Sequence, residues 1–119
     1  MSSHLIKRKE ADFDLKDGWR CETSLNKWPS GSQVKTGDIV YVAQNGYAIY
    51  GKGEVKKVFK YEFDTFDEFL IHALHKSNVF DDIYWLSKIK EYSKKIPTQP
   101  IKILEYELVN CKCFDYTIL

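Results

Sequence analysis

Lys35-Thr36-Gly37-Asp38-Ile39-Val40-Tyr41-Val42-Ala43-Gln44-Asn45-Gly46-Tyr47-Ala48-Ile49-Tyr50-Gly51-Lys52-Gly53-Glu54-Val55 is the stretch whose reading decides the fold. Two runs rich in β-branched and aromatic residues, Ile39 to Gln44 and Tyr47 to Gly51, flank Asn45-Gly46. That dipeptide is the strongest short-range hairpin signal, because a type I′ turn needs φ > 0 at both central positions. A two-residue loop predicts Gln44 opposite Tyr47, Val42 opposite Ile49 and Tyr41 opposite Tyr50. Val40, Val42 and Ile49 then share one face, and Ile39, Tyr41, Ala43, Ala48 and Tyr50 the other. A hairpin with one wet face alternates with polar residues. This one hardly does, so it is expected inside a covered or closed sheet, most economically a small barrel.

Upstream, His4 to Lys9 reads as a short first strand, Asp17-Gly18 as a turn, and Trp19 to Ser24 as extended chain. Pro29 to Ser32 forms a loop leading into the hairpin. Downstream, Val55, Phe59, Tyr61 and Phe63 share one parity and predict a third, half-exposed strand. Thr65-Phe66-Asp67-Glu68 has the spacing of a capping box. Phe66, Phe69, Leu70, Ala73 and Leu74 follow as one apolar helical stripe. Asp81 or Asp82 caps a second helix, on which Trp85, Ile89, Tyr92 and Ile96 line up. Ile101 to Val109 and Lys112 to Ile118 read as two more strands, joined tightly around Asn110. Strands, two helices and strands again predict an α+β fold. The expectation is a small mixed or antiparallel β-barrel with two or more peripheral helices, in a single domain over residues 1–119.

The 119 residues are 44% hydrophobic and 29% charged, within the range of a globular domain with its own core. A net charge of +1 provides no global field for nucleic acid or an anionic membrane, so any nucleic-acid site must be a local patch. No apolar run approaches the ~20 residues of a membrane span, and the N-terminal residues lack a signal-peptide core. Three cysteines, Cys21, Cys111 and Cys113, suit a reducing cytoplasm. A cytoplasmic protein with no membrane partner is therefore expected.

Gly37-Asp38-Ile39-Val40-Tyr41, a short turn, and then Ala48-Ile49-Tyr50-Gly51-Lys52-Gly53-Glu54-Val55 resembles the EVE-like branch of the PUA-like superfamily, which is related to YTH and ASCH domains. Trp28 upstream and the helix-then-strand ending are in keeping with that resemblance. It implies a PUA-like barrel that binds nucleic acid, RNA or DNA, often with a modified or flipped base in an aromatic-lined pocket. The physical basis of the pattern is legible. Gly37-Asp38 makes a tight entry turn in which Asp38 bonds nearby backbone. Gly51 and Gly53 permit a bulge or a close backbone approach. The chain departs from the family where residues 4–9 lack a tryptophan and where Ala43-Gln44-Asn45 replaces a small hydroxyl residue. It also lacks the ASCH run Gly-x-Lys-x-x-Glu-x-Arg.

The expected cleft lies between the Trp19–Trp28 segment and the Gln44–Tyr47 hairpin tip. Trp19 and Trp28 would stack on bases. Gln44 would read a base edge, with Asn45 and Tyr47 beside it, although Asn45 is also explained by turn geometry. Arg20, Lys27 and Lys52 would hold phosphates, with Lys7, Arg8, Lys9 and Lys35 as further basic groups. Trp85 is expected in the core. His72-x-x-His75 lies opposite the apolar stripe and is expected to be exposed, while Cys111-x-Cys113 shares one strand face. These spacings fit no common zinc finger, and neither metal nor cofactor is expected. Cys21 has no base placed beside it, so an enzyme is not expected. The competing classes are a protein-interaction module that kept the barrel without a pocket, and a small hydrolytic or metal-dependent enzyme. An aromatic-walled pocket favours nucleic acid, whereas a flat apolar patch favours the interaction module. The sequence leaves the oligomeric state open.

Overall fold

Asp38 is where the first part of the fold is tied together. Its backbone N–H bonds Lys35 O at 3.0 Å and its Oδ2 accepts from Lys35 N at 3.0 Å, which closes the tight turn expected at Gly37-Asp38, with Gly37 at φ +93°. Oδ1 also accepts from Ser2 N at 3.1 Å, and Oδ2 pairs with His4 Nε2 at 2.7 Å. The His4 hydrogen bond, helped by Ser2, holds the Asp38 carboxyl below the usual carboxylate range. One buried side chain thus joins the entry of the hairpin to the first strand.

The computed structural model describes residues 2–8, 15–29, 33–44, 49–94 and 100–118, except for the side chains of residues 7, 8, 44 and 115–118. The strands are β1 (Ser3–Arg8), β2 (Gly18–Leu25), β3 (Ile39–Gln44), β4 (Ile49–Phe63) and β5 (Ile101–Ile118). They pair in the order β1-β3-β4-β5-β2, so the protein is an α+β fold built on a five-stranded sheet. Among the described residues the sheet is not closed into a barrel. β1 runs parallel to β3, with Ser3 opposite Ile39, and β3 runs antiparallel to β4. The sheet is therefore mixed.

The chain divides into two compact units. The first holds residues 1–20, 33–59 and 106–119, and the second residues 21–32 and 60–105. In the first unit Val40, Val42, Ala43 and Tyr50 are buried and Ile39, Tyr41 and Ile49 half-buried, as expected of a hairpin with no wet face. The register differs from that of a two-residue loop. Tyr41 lies opposite Lys52 and Val42 opposite Gly51, while Ala43 lies opposite Ile49, so the ladder shifts around Tyr50. A bulge of this kind inserts one unpaired residue and bends the strand. The shift is by two residues from Ile39 to Val42, which keeps the predicted parity there, but beyond the bulge Ile49 lies opposite Ala43 and so leaves the Val40–Val42 face on which it was expected. Asn45 to Ala48 lie outside the described residues.

Two junctions expected between strands are continuous strand instead. Ile49–Gly51 and Val55–Phe63 belong to one strand, β4, and Ile101–Val109 and Lys112–Ile118 to β5. Asn110 does adopt the left-handed conformation (φ 51°) that signals a turn. Its N–H and that of Cys111 are held by the Asp17 carboxylate at 3.3 and 2.9 Å, so the chain kinks there and remains a strand.

In the second unit Thr65 caps α1 (Phe66–Ile71) through Glu68 N at 3.2 Å, and Asp81 caps α2 (Asp82–Ser93) through Tyr84 N at 3.0 Å. Phe69, Trp85 and Tyr92 are buried as the helical stripes predict, but Leu74 is exposed. A π-helical turn, His72–Lys76, follows α1 with Ser77 N bonded to His72 O at 2.8 Å. Its wider winding takes Leu74 off the inner stripe and brings His72 in. Ile96 lies outside the described residues.

Gly51 sits where a Cβ would lie 2.9 Å from Lys112 O and 3.0 Å from Leu15 Cδ2, so the backbone itself would have to move. Gly51→Ala is expected to lower stability by about 1–3 kcal/mol, as overpacked sites do. Urea denaturation checks this, and an unchanged midpoint would show that the approach is looser than described.

Candidate functional site

In the second unit, strand β2 and the segment after it meet α2 around a cavity of about 530 Å³ lined by Cys21, Glu22, Thr23, Ser24, Lys27, Trp28, Pro29, Tyr84 and Lys88. Trp28 is half-buried, and two ammonium groups from neighbouring strands lie against its indole. Lys102 Nζ is 5.0 Å and Lys60 Nζ 5.7 Å from the ring centroid. Attraction of cations to the ring quadrupole positions the indole and concentrates positive charge beside it. Lys102 also pairs with Glu62 at 3.3 Å, and Lys88 with Glu91 at 3.3 Å. Lys27 is exposed and makes no ion pair among the described residues. Thr23 Oγ1 accepts from Tyr92 OH at 2.9 Å and from Tyr84 OH at 3.3 Å, which fixes one wall of the cavity to α2. Glu22 differs from these groups, because its Oε2 is buried without a hydrogen-bond partner.

Burial, aided by the negative charge of Glu105, pushes the Cys21 thiol up to about 12. At neutral pH it is a protonated, weak nucleophile.

A second cavity of about 450 Å³ in the same unit is lined by Tyr61, Phe63, Glu68, Ile71, His72 and Lys76. The Tyr61 and Phe63 rings are parallel within 7°, and His72 packs on them at 4.4 and 5.2 Å. His72 was expected to be exposed. It is 3% exposed, with Nε2 bonded to Glu105 Oε2 at 2.7 Å. Oε2 also accepts from Ser77 Oγ at 2.7 Å, and Oε1 accepts from Asn78 N at 3.0 Å and Asn78 Nδ2 at 3.2 Å. Burial pushes the Glu105 carboxyl up, but these hydrogen bonds outweigh it and hold the group below its ordinary value. His75 is exposed, Cys111 half-buried and Cys113 exposed. Among the described residues no three His, Cys, Asp or Glu side chains gather into a metal-binding group.

Of the residues expected to form the cleft, the fold brings Lys27 and Trp28 together at one cavity. Trp19 and Arg20 belong to the first unit. There Trp19 stacks on Phe59 at 5.9 Å, and the Arg20 guanidinium caps Lys16 O at 2.8 Å and Trp19 O at 3.3 Å. Both therefore have local structural work. Lys52, also in the first unit, lines a depression of about 290 Å³ with Ile39, Gly53, Glu54, Asn110 and Lys112. Asn45, Tyr47 and the Gln44 side chain lie outside the described residues. Sequence reasoning missed Glu22, Lys60, Lys88 and Lys102 beside Trp28. They come from separate strands and a helix, with no spacing in common. It missed Glu105 too, although a lone carboxylate within Ile103-Leu104-Glu105-Tyr106 is a detectable anomaly.

No family model and no curated protein matches the chain. The crystal structure of hypothetical protein PH0355 is similar over 92% of this chain and 100% of that chain, at 19% identity and a TM-score of 0.40. That likeness is too slight to assign a function.

The Glu105 network has a signed pH dependence. Its carboxyl is depressed in the fold, so its contribution is complete above the ordinary value of 4.5 and is lost as pH falls through the lower folded value. The melting temperature is expected to drop on acidification below that point, and less steeply in Glu105→Gln. An identical acid limb in the variant would assign the effect to other carboxylates such as Asp38.

Proposed function

We propose that this chain is a cytoplasmic nucleic-acid-binding domain of the PUA-like, EVE-like kind, its sheet closing into that family's small barrel. The observation that carries the reading is the half-buried Trp28 at the edge of an open cavity with Lys27, Lys60, Lys88 and Lys102 around it. An aromatic face beside several ammonium groups is the arrangement by which single strands are held: bases stack while phosphates are neutralised. A net charge of +1 is compatible, because the positive groups are local. RNA and DNA are both suitable ligands at this level of chemistry.

Titration with single- and double-stranded oligonucleotides at low salt tests the reading. Trp28→Ala should weaken binding by about 1–3 kcal/mol, the usual worth of one stacked base. Replacing Lys27 and Lys60 by Ala should instead lower affinity for all sequences alike and flatten the salt dependence, because phosphate contacts act through counterion release. No binding tighter than the ~0.1 mM of weak non-specific association would defeat the proposal.

A specific observation favours a second reading, a protein-interaction module. Phe80, just before α2, and Ile83 and Leu86 in its first half are 95%, 84% and 64% exposed. Large apolar side chains clustered in this way commonly mark a partner surface. If this surface rather than Trp28 serves the function, the protein should self-associate in sedimentation, and Ile83→Asp with Leu86→Asp should make it monomeric. Monomeric wild type that binds oligonucleotides supports the first reading.

A further inference from the structure

The Trp28 cavity contains one group that the fold does not satisfy. Glu22 lines the cavity, yet its Oε2 is buried and has no hydrogen-bond partner among the described residues. Buried acceptors are almost always paired, and leaving one unpaired costs stability, so a lone carboxylate of this kind needs a reason. Lys27 and Lys88 line the cavity and Lys60 and Lys102 lie at Trp28, and none of the four bonds Glu22 Oε2. Lys88 is engaged with Glu91 and lies over Tyr84 and Tyr92, while Lys60 and Lys102 lie over Trp28. The neighbouring tyrosine hydroxyls are committed elsewhere, since Tyr84 and Tyr92 both donate to Thr23. Thr23, Ser24 and Lys27 line the cavity as well, yet none of them donates to Glu22 Oε2.

We propose that Glu22 is the specificity-determining residue of this site, its carboxylate turning into the cavity to accept a hydrogen bond from the exocyclic amino group of a base stacked on Trp28. This rests on the nucleic-acid reading above and adds which bases it takes. A carboxylate is acceptor-only and is a natural partner for an amino donor such as cytosine N4. Cytosine, adenine and guanine each present an exocyclic amino group, guanine with N1–H beside it. Uracil and thymine present two carbonyl oxygens with one N–H between them, and those oxygens repel a carboxylate. The lysines contribute equally to every strand through phosphate, so discrimination falls to Glu22.

The test uses the full chain and short homopolymeric single strands of C, A and U or T, in both sugar series, followed by Trp fluorescence at low salt. Wild type should bind the C and A strands about tenfold tighter than the U and T strands, in line with a single charge-assisted hydrogen bond. Glu22→Ala should bind all of them alike, with its melting temperature unchanged or raised because an unsatisfied carboxylate has been removed. Glu22→Gln, which keeps the shape and a neutral acceptor, should retain part of the preference. Three results would overturn the assignment while leaving the nucleic-acid reading intact: Trp28-dependent binding that is equal on all bases, a preference that survives Glu22→Ala, or a marked fall in melting temperature in that variant. Absence of binding to any strand would overturn both.

Discussion

The second unit is organised around one buried carboxylate. Glu105 is fully buried and accepts from His72, Ser77 and both nitrogens of Asn78. Removing an ionised carboxylate from water is costly unless every lone pair is used, and here four donors use them. The requirement constrains the chain on each side. The π turn after α1 brings His72 inward, Ser77 and Asn78 follow at the turn's exit, and the imidazole presses on Tyr61, Phe63 and Trp85. Helix end, loop and strand are thus fixed by one charge.

Asp38 performs the same task in the first unit, at lower density. It closes its own turn and binds Ser2 and His4. Each unit therefore has a short-range element, a turn or a helix end, locked by a carboxylate that also reaches a residue about thirty positions away. Such polar hubs specify geometry in a way that apolar packing alone does not, because a hydrogen bond fails with small errors in direction.

Glu22 makes a useful contrast with these two. All three are carboxylates with buried atoms, but two have their acceptors filled by the protein and the third does not. Satisfied networks explain themselves as structure, and an unsatisfied group beside an aromatic wall and lysines is where binding chemistry is best sought. The second aromatic-lined cavity, at Tyr61 and Phe63, has its histidine already engaged by Glu105.

What the sequence by itself determined are the features governed by neighbours in the chain. Thr65 and Asp81 cap their helices, Gly37-Asp38 turns, Gly51 and Gly53 admit close approach, and the hydrophobic parity of Ile39 to Ala43 buries the hairpin. Each follows from spacing of a few residues and from steric or hydrogen-bonding rules that act locally. Only the tertiary structure decided the parallel pairing of β1 with β3, the shifted register at Tyr50, the burial of His72, and the company of Trp28. Those outcomes depend on residues far apart in sequence: a carboxylate on β5 draws a helical histidine inward, and Asp17 keeps Asn110 within a strand where local preference favours a turn. A periodicity shows which face of an element is apolar, but not which distant polar group will meet it.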